Sequence, residues 1–254
     1  MRSPVTLIPL AGIKFVEPGD DLDAIAADAL TANGLAPESG DVLVVAQKIV
    51  SKAEGRYVDL AIVEPSERAV LLAAEVDKDA RFVEVVLSEA RRVVRHRPGL
   101  LIVEHRLGHV MANAGIDHSN LPAAGGERVL LLPEDPDRSA RSLREHLAKV
   151  FSTEIGVIIS DSFGRPWRKG TVGVALGAAG LPALIDMRGR PDLFGRELLV
   201  TETGFADEVA AAAGLLMGQA DEAVPMVLVR GLGWSAPEVP AAALIRPAEH
   251  DLFR

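Results

Sequence analysis

The sequence contains no cysteine, and this absence removes several kinds of chemistry at once. Disulfides, zinc–thiolate sites, iron–sulfur clusters and cysteine nucleophiles are excluded, because each of them needs a thiol. Aromatic residues are also scarce, at 4% of the chain. Nearly half of the 254 residues are nevertheless apolar, which is enough to bury a sizeable core in one large domain or two small, interlocked ones.

An excess of positive charge and a long hydrophobic run are missing as well. The formal net charge is −9, which argues against a nucleic-acid partner but leaves room for a local basic pocket that holds a phosphate. The longest uncharged apolar run, Val172 to Ile185, is too short to span a bilayer. The N-terminus has no signal-peptide pattern. We therefore expect a cytoplasmic protein that does not contact membranes.

The familiar nucleotide and hydrolase motifs are absent too. The sequence has no G-x-x-x-x-G-K-[ST], no G-x-G-x-x-G after a strand, no G-x-S-x-G and no H-E-x-x-H. Any nucleotide chemistry in this protein must therefore use a less common framework.

The pattern of apolar residues predicts a mixture of strands and helices. Helices are predicted at PGDDLDAIAADALTANG with Asp20 or Asp21 as the cap, at SERAVLLAAEV, at DARFVEVVLSEARRVVRH, at DPDRSARSLREHLAKVF with Asp135 as the cap, and after Thr203. Strands are predicted at VTLIPL, DVLVVAQKIVS, LLIVE, HVMANAGI, RVLLLP, EIGVIIS and VPMVLVRG. Because no strict βαβ repeat appears, we predict an α+β fold with mixed sheets, as one domain over residues 1–254 containing two interlocked subdomains.

Two stretches carry carboxylates that could bind a cation. In GIDHSNLP, Asp117 and Asn120 follow an apolar strand and could hold Mg²⁺ or Mn²⁺, or could simply form local turns. In ISDSFGRPWRKG, Asp161 and Ser162 stand at the predicted end of a buried strand, a combination that often holds a phosphate-bound divalent ion.

Three cations follow that second stretch. Arg165, Arg168 and Lys169 could neutralise phosphate or carboxylate oxygens of a substrate. The alternative is a turn with solvated charges.

Two further stretches could contact a phosphate or a metal. In AQKIVSKAEG, Lys48 and Lys52 share one face of the predicted strand, and Lys52 could reach a phosphate; the alternative is an edge strand carrying lysines. In LLMGQADEAVP, a helix ends at Gly218, and the amide oxygen of Gln219 could ligate a metal. The alternative there is a helix C-cap and a polar loop. Of the six histidines, only His118 stands beside a candidate ligand.

Taken together, these stretches resemble one family. LIPLAGI, VVAQKIVSKAEGR, ANAGIDHSN, IISDSFGRPWRKG and LLMGQADE, in this order, are similar to the coenzyme F420:L-glutamate ligases, also called F420-0:γ-glutamyl ligases. The resemblance runs from about Leu7 to Arg230. It implies a GTP-dependent enzyme that adds L-glutamate to the deazaflavin precursor F420-0 and then a further glutamate by a γ-linkage. It also implies an α+β fold particular to the family, two divalent cations (Mn²⁺ or Mg²⁺), a potassium ion and a homodimer.

The resemblance also assigns roles to residues. Asp117 and Asp161 would hold one divalent ion, and Ser162 and Gln219 would belong to the second. Lys52 and Asp161 would be catalytic in a reaction that passes through an acyl phosphate. The residues implied in GTP binding are Pro9, Leu10, Ala11, Gly12, Gln47, Lys48, Lys52, Asn120, Met217, Gly218, Gln219, Ala220, Asp221, Glu222, Ala223 and Val224.

One feature of some family members is missing. They carry a fused nitroreductase-like domain after the ligase region, and this sequence, which ends at Arg254, leaves no room for it. We therefore expect the stand-alone form. Two other functions stay open: a nucleotide-binding module without ligase activity, and an amide ligase for a different carboxylate acceptor.

Overall fold

A five-stranded mixed sheet forms the centre of the protein, in a computed structural model that describes residues 4–117 and 127–252. The strands are β1 (Thr6–Pro9), β2 (Val42–Ala46), β3 (Tyr57–Asp59), β4 (Ala90–Arg97), β5 (Leu100–His105), β6 (Val110–Ala112), β7 (Arg128–Leu130), β8 (Gly156–Arg165), β9 (Arg168–Ala179), β10 (Ile185–Asp186), β11 (Glu202–Thr203) and β12 (Met226–Arg230). The α-helices are α1 (Leu22–Ala32), α2 (Gln47–Ala53), α3 (Glu67–Val76), α4 (Ala80–Ser88), α5 (Pro136–Phe151) and α6 (Phe205–Met217).

The central sheet is buried on both faces. Its strand order is β1-β12-β2-β8-β9, and β2 and β8 run parallel while the other neighbours run antiparallel. Leu43 and Val45 pack with α1 and α5 on one face, and Val42 and Val44 pack with α6 on the other. A strand whose successive side chains are all buried needs cover on both faces, and the helices supply it.

Side-chain caps fix the start of four of these helices, α1, α3, α4 and α5, and the sequence had indicated those of α1 and α5. Asp21 accepts a hydrogen bond from the Ala24 backbone N–H at 3.0 Å, and Asp135 accepts one from Arg138 at 3.0 Å. Both caps confirm the sequence prediction and satisfy backbone donors that a helix leaves unpaired. At α6 the capping position is Gly204 rather than Thr203, and no side chain caps it.

Residues 56–130, which we call the inserted unit, have a core of their own. The three-stranded sheet β4-β5-β6 packs against α3 and α4, and the pair β3–β7 leads the chain in and out. The predicted helix DARFVEVVLSEARRVVRH is wrong in its second half, because α4 ends at Ser88 and β4 begins at Ala90. β-branched valines mixed with arginines suit a strand as well as a helix, and antiparallel pairing with β5 decides between them.

A buried carboxylate joins separate segments of the inserted unit. Glu89, which is 9% exposed, lies 3.0 Å from both Arg56 Nη2 and Arg106 Nε and 3.3 Å from His105 Nε2. The Leu107 N–H donates to His105 Nδ1, which leaves Nε2 as the ring nitrogen nearer to Glu89. Burial by itself raises the pKa of Glu89, but these hydrogen bonds and charges lower it to about 2.

The fold class is therefore α+β, as predicted. The assignment of the whole chain to a single domain stays a prediction. Within the described ranges, no helix combines the length and apolar character needed to cross a membrane.

Candidate active site

Three strands of the central sheet end or begin at the same edge, and a fourth passes through it. β1 and β2 end there, β12 begins there, and β8 passes through at Ser160, which pairs with Ala46. The Leu10 N–H donates to Met226 O at 3.0 Å, and the Ala46 N–H donates to Pro225 O at 2.8 Å. The segments after β1 and β2 and the segment before β12 therefore lie side by side, although they are far apart in the sequence.

The segment after β2 is a helix and not a continued strand. α2 begins at Gln47, so the predicted strand over DVLVVAQKIVS is wrong beyond Ala46. The edge-strand alternative is wrong too, since β2 lies between β12 and β8. Lys48 and Lys52 still share a face, now because they are four residues apart on a helix.

Helix α2 buries polar groups that a surface helix would expose. Gln47 and Ser51 are buried, and the Ser51 hydroxyl donates to Gln47 Oε1 at 2.9 Å. Lys52 is only 8% exposed. Burial and the neighbouring charge of Lys48 lower the pKa of Lys52, and the charge of Asp117 opposes them. A partly desolvated ammonium is suited to binding an anion.

Asp117 reaches this helix from the inserted unit. Its backbone exchanges two hydrogen bonds with Leu130, at 3.0 and 2.9 Å, which fixes the position of the carboxylate. The carboxylate Oδ2 lies 2.6 Å from Lys48 Nζ. His118 and Asn120, which the sequence placed in the same stretch, lie outside the described residues.

Asp161 is the most perturbed carboxylate at this edge. It is partly buried within β8, where burial raises its pKa to about 6. The Ser162 N–H donates to its Oδ1 at 2.7 Å and lowers the pKa, the charge of Asp117 raises it, and Lys48 and Gln47 lower it. The two carboxylates thus influence each other, and Lys48 pairs with Asp117 and acts on Asp161 through its charge. An added cation would be stabilised by both carboxylates.

The predicted turn after Asp161 is wrong in its position. β8 continues to Arg165, and only Pro166 and Trp167 separate it from β9. Asp161 and Ser162 therefore lie within a strand and not at its end. The cations Arg165, Arg168 and Lys169 lie at the tip of this β8–β9 hairpin.

The loop after α6 joins the same site through Gln219. The Ser162 hydroxyl donates to Gln219 Oε1 at 2.6 Å, and the Thr171 hydroxyl approaches the same oxygen at 3.5 Å. Thr171 was not singled out from the sequence; its position just after the cationic stretch was the only available signal. These contacts connect the hairpin to residues 218–224.

Gly218 sets the shape of that loop. Its φ of 69° and ψ of −168° belong to a region that only glycine occupies readily, and a Cβ there would overlap the carboxyl group of Glu222. The Ala220 N–H donates to Glu222 Oε2 at 2.8 Å. The backbone of Ala220, and also that of Glu222 and Gln219, lowers the pKa of the Glu222 carboxyl. The loop thus presents backbone N–H groups that can stabilise an anion.

The donor atoms at this edge are suited to a hard divalent cation. Asp117, Asp161, Ser162 and Gln219 offer carboxylate, hydroxyl and amide oxygens, which are the ligands that Mg²⁺ and Mn²⁺ prefer. The residues that the structure describes contain no cluster of three or more acidic or histidine side chains with metal-site geometry. Mg²⁺ sites often use one or two carboxylates and complete the coordination shell with water and phosphate oxygens, and this small set of protein donors is consistent with such a site. A bound cation would also favour the ionised form of Asp161, whose pKa is raised in its absence.

Comparison with known proteins gives the site its context. A family model described as F420-0:Gamma-glutamyl ligase matches residues 12–231. The chain belongs to this ligase family. The match includes α2, Asp117, the β8–β9 hairpin and the loop after α6.

Individual members of the ligase family are similar in sequence to this protein along nearly the whole chain. The coenzyme F420:L-glutamate ligase of Methanopyrus kandleri is 48% identical over 95% of this chain and 94% of its own length. Those of Methanothermobacter thermautotrophicus and Archaeoglobus fulgidus are each 42% identical over 98% of this chain, and over 99% and 96% of their own lengths. The similarity to ligases of this family therefore covers both the inserted unit and the central sheet.

Proposed function

We propose that this protein uses GTP to join L-glutamate to the terminal carboxylate of F420-0, and then adds a further glutamate by a γ-linkage. The observation that carries the proposal is the meeting of Asp117, Asp161, Lys48 and Lys52 at one sheet edge, in a chain that belongs to the F420-0:γ-glutamyl ligase family. Ligation of two anions needs this combination of cation-binding carboxylates and desolvated ammonium groups.

GTP is assigned to the place where the segments after β1, β2 and α6 converge. Pro9 to Gly12 and the end of the stretch Met217 to Val224 converge there, because Leu10 and Ala46 hydrogen-bond to Met226 and Pro225. The backbone N–H groups that hold the Glu222 carboxylate are also suited to phosphate oxygens. Gln47 and Lys48, at the start of α2, belong to the same place.

The proposed reaction balances in two steps. An oxygen of the F420-0 carboxylate forms a bond to the γ-phosphorus, and the bond from that phosphorus to the β-phosphate oxygen breaks, which gives an acyl phosphate and GDP. The α-amine of glutamate then bonds to the acyl carbon, the bond to the phosphate oxygen breaks, and the amine loses a proton. Lys52 is assigned to stabilise the phosphate oxygens in the first step, since its ammonium lies partly desolvated on α2.

Asp117 and Asp161 are assigned to one divalent cation, and Ser162 and Gln219 to a second. Such cations, when bound, neutralise phosphate charge and orient the γ-phosphoryl group. The protein's own contribution is to hold Asp161 in β8 with its Oδ1 bonded to the Ser162 N–H, and to hold Asp117 against Leu130. Potassium as a further cation, assembly as a homodimer and a cytoplasmic location belong to the same proposal.

The proposal is tested by incubating the purified protein with F420-0, L-glutamate, GTP and MnCl₂ and following deazaflavin products by mass spectrometry. We expect one and then two added glutamates, and GDP formation only in the complete mixture. Omission of each component is the matched control. GTP binding without any deazaflavin product would support the nucleotide-binding module, and phosphate release with another carboxylate acceptor alone would support a different amide ligase.

A further inference from the structure

The turn of the β8–β9 hairpin places a tryptophan where a glycine is expected. Arg165 pairs with Arg168, so Pro166 and Trp167 form a two-residue turn. Proline fixes a negative φ at the first position, and Trp167 has a φ of +65° at the second, as in a type II turn. That position strongly favours glycine or asparagine, and a bulky residue there is uncommon.

Burial of the Trp167 indole does not offset this unfavourable backbone conformation. Its side chain is 86% exposed, although an aromatic ring is normally placed where it can lose contact with water. A residue that opposes the local backbone preference and remains exposed points to a role outside folding.

The hairpin tip lies beyond the site described above. Ser160 is the last residue of β8 that pairs with β2, and the strand continues beyond it from Asp161 to Arg165. At about 3.3 Å per residue, Arg165 lies roughly 13 Å along the strand from Asp161. A ligand that reacts beside Asp161 and follows this strand outward therefore reaches Trp167.

The tip is also locally basic in an acidic protein. Residues 162–185 contain Arg165, Arg168 and Lys169 but no aspartate or glutamate, while the chain as a whole carries a formal charge of −9. Among the residues that the structure describes, none of these three cations has a carboxylate at ion-pair distance; Arg165 Nη1 donates to Gly170 O at 3.2 Å. An aromatic platform beside unpaired cations suits a planar ring that is attached to an anionic group.

We propose that the hairpin tip is the acceptor-recognition element, in which Trp167 stacks on the deazaflavin ring and Arg165 and Arg168 bind the phosphodiester of F420-0. The inference rests on the proposed function, since it takes F420-0 as the acceptor. A deazaflavin, a phosphodiester and a terminal carboxylate follow one another in that molecule. The tip, the overhanging strand and Asp161 follow one another in the same order along β8.

Substitution of Trp167 separates recognition from folding. Trp167→Gly supplies the residue that the positive φ favours, so we expect an unchanged or higher melting temperature. We expect the KM for F420-0 to rise roughly 5- to 100-fold, the range that loss of one aromatic stacking partner produces for a base, with the KM for GTP unchanged. Trp167→Phe keeps a ring and should lie close to the wild type.

Fluorescence gives a readout that does not depend on catalysis. The chain has two tryptophans, and Trp234 packs against Phe205 at 5.7 Å between ring centroids. In Trp234→Phe, all indole emission comes from Trp167, and we expect F420-0 to quench it saturably. Trp167→Phe, in which only Trp234 emits, is the matched control and should show much weaker saturable quenching.

The outcomes distinguish the two proposals. If the wild type glutamylates F420-0 while Trp167→Gly keeps its KM and Trp167 emission does not change, the recognition element is overturned and the ligase function stands. A wild type that neither binds nor glutamylates F420-0 overturns both. A Trp167→Gly protein with a smaller oligomeric mass and a normal KM assigns the tip to contacts between copies and overturns the inference.

Discussion

Glu89 in the inserted unit and Asp161 at the sheet edge are both carboxylates withdrawn from water, yet their pKa values shift in opposite directions. Arg56, Arg106 and His105 surround Glu89, and its pKa falls to about 2. Burial raises the pKa of Asp161 to about 6, and the charge of Asp117 adds to the rise while that of Lys48 opposes it. A buried charge that the protein compensates by itself holds the structure together, whereas one that it leaves under-compensated is a candidate for binding.

The largest effect is expected at Asp161. Asp161→Asn keeps the shape of the side chain but removes the charge, so we expect glutamylation to fall by more than about 100-fold, beyond what loss of an indirect metal contact produces. The protein should be at least as stable as the wild type, because the variant no longer buries this carboxylate. Activity assays beside thermal melts measure both quantities. Near-normal glutamylation by a folded Asp161→Asn protein would show that the carboxylate is not needed.

Glu89 should give the opposite pattern. Glu89→Gln leaves Arg56 and Arg106 without their carboxylate, so we expect the free energy of unfolding to fall by about 3 kcal/mol, as for other broken buried ion pairs. Activity per folded molecule should change little, since Glu89 does not contact the sheet-edge site. Urea unfolding followed by circular dichroism gives the stability. A Glu89→Gln protein that stays stable but loses activity would contradict the view that Glu89 serves stability and Asp161 serves activity.

The pH dependence of stability follows from the lowered pKa of Glu89. The group binds a proton more readily in the unfolded chain, near its ordinary value of 4.5, than in the folded protein, near 2. Its contribution is therefore complete above about pH 4.5 and is lost as the pH falls toward about 2. Urea midpoints measured across this window should fall less steeply with decreasing pH in Glu89→Gln than in the wild type. Equal slopes would contradict the assignment.

A third carboxylate, Glu222, is held by backbone N–H groups and gives the smallest expected effect. In Gly218→Ala the new Cβ overlaps the Glu222 carboxyl group, and alanine must adopt a φ that it avoids. We therefore expect the free energy of unfolding to fall by about 1–2 kcal/mol and GTP binding to weaken. Gly214→Ala is the matched control, because no atom lies within 4 Å of its added Cβ. It should stabilise α6 by up to about 1 kcal/mol and leave GTP binding unchanged. Isothermal titration with GTP compares the two, and equal affinities would show that loop shape is unimportant.

Local signals in the sequence were enough for elements whose ends carry their own caps. Asp21 and Asp135 marked the starts of α1 and α5 because a cap acts within a few residues. The boundaries of β2 and β4 were not predictable in this way. Apolar residues continue on both sides of Gln47 and Lys48, and only the neighbours β12 and β8 show where the strand ends.

In the candidate site, too, the residue types were predictable from the sequence and their arrangement was not. The residue types of Asp117, Asp161 and Gln219 were found from sequence stretches and from the family resemblance. Their mutual placement depends on a parallel pairing of β2 with β8 and on the return of the inserted unit at Leu130, and neither is a local property. The opposite pKa shifts of Glu89 and Asp161 were invisible for the same reason, since partners and burial come from distant segments.

Asp117 and Asp161 come from different parts of the chain, one from the inserted unit and the other from the central sheet. The distance between the two carboxylates therefore depends on how the inserted unit is placed against the sheet. A cation that binds both carboxylates favours one placement over all others, and that placement in turn strengthens the binding of the cation. Amide hydrogen exchange in β4 and β5, remote from the carboxylates, should accordingly slow when Mn²⁺ is added.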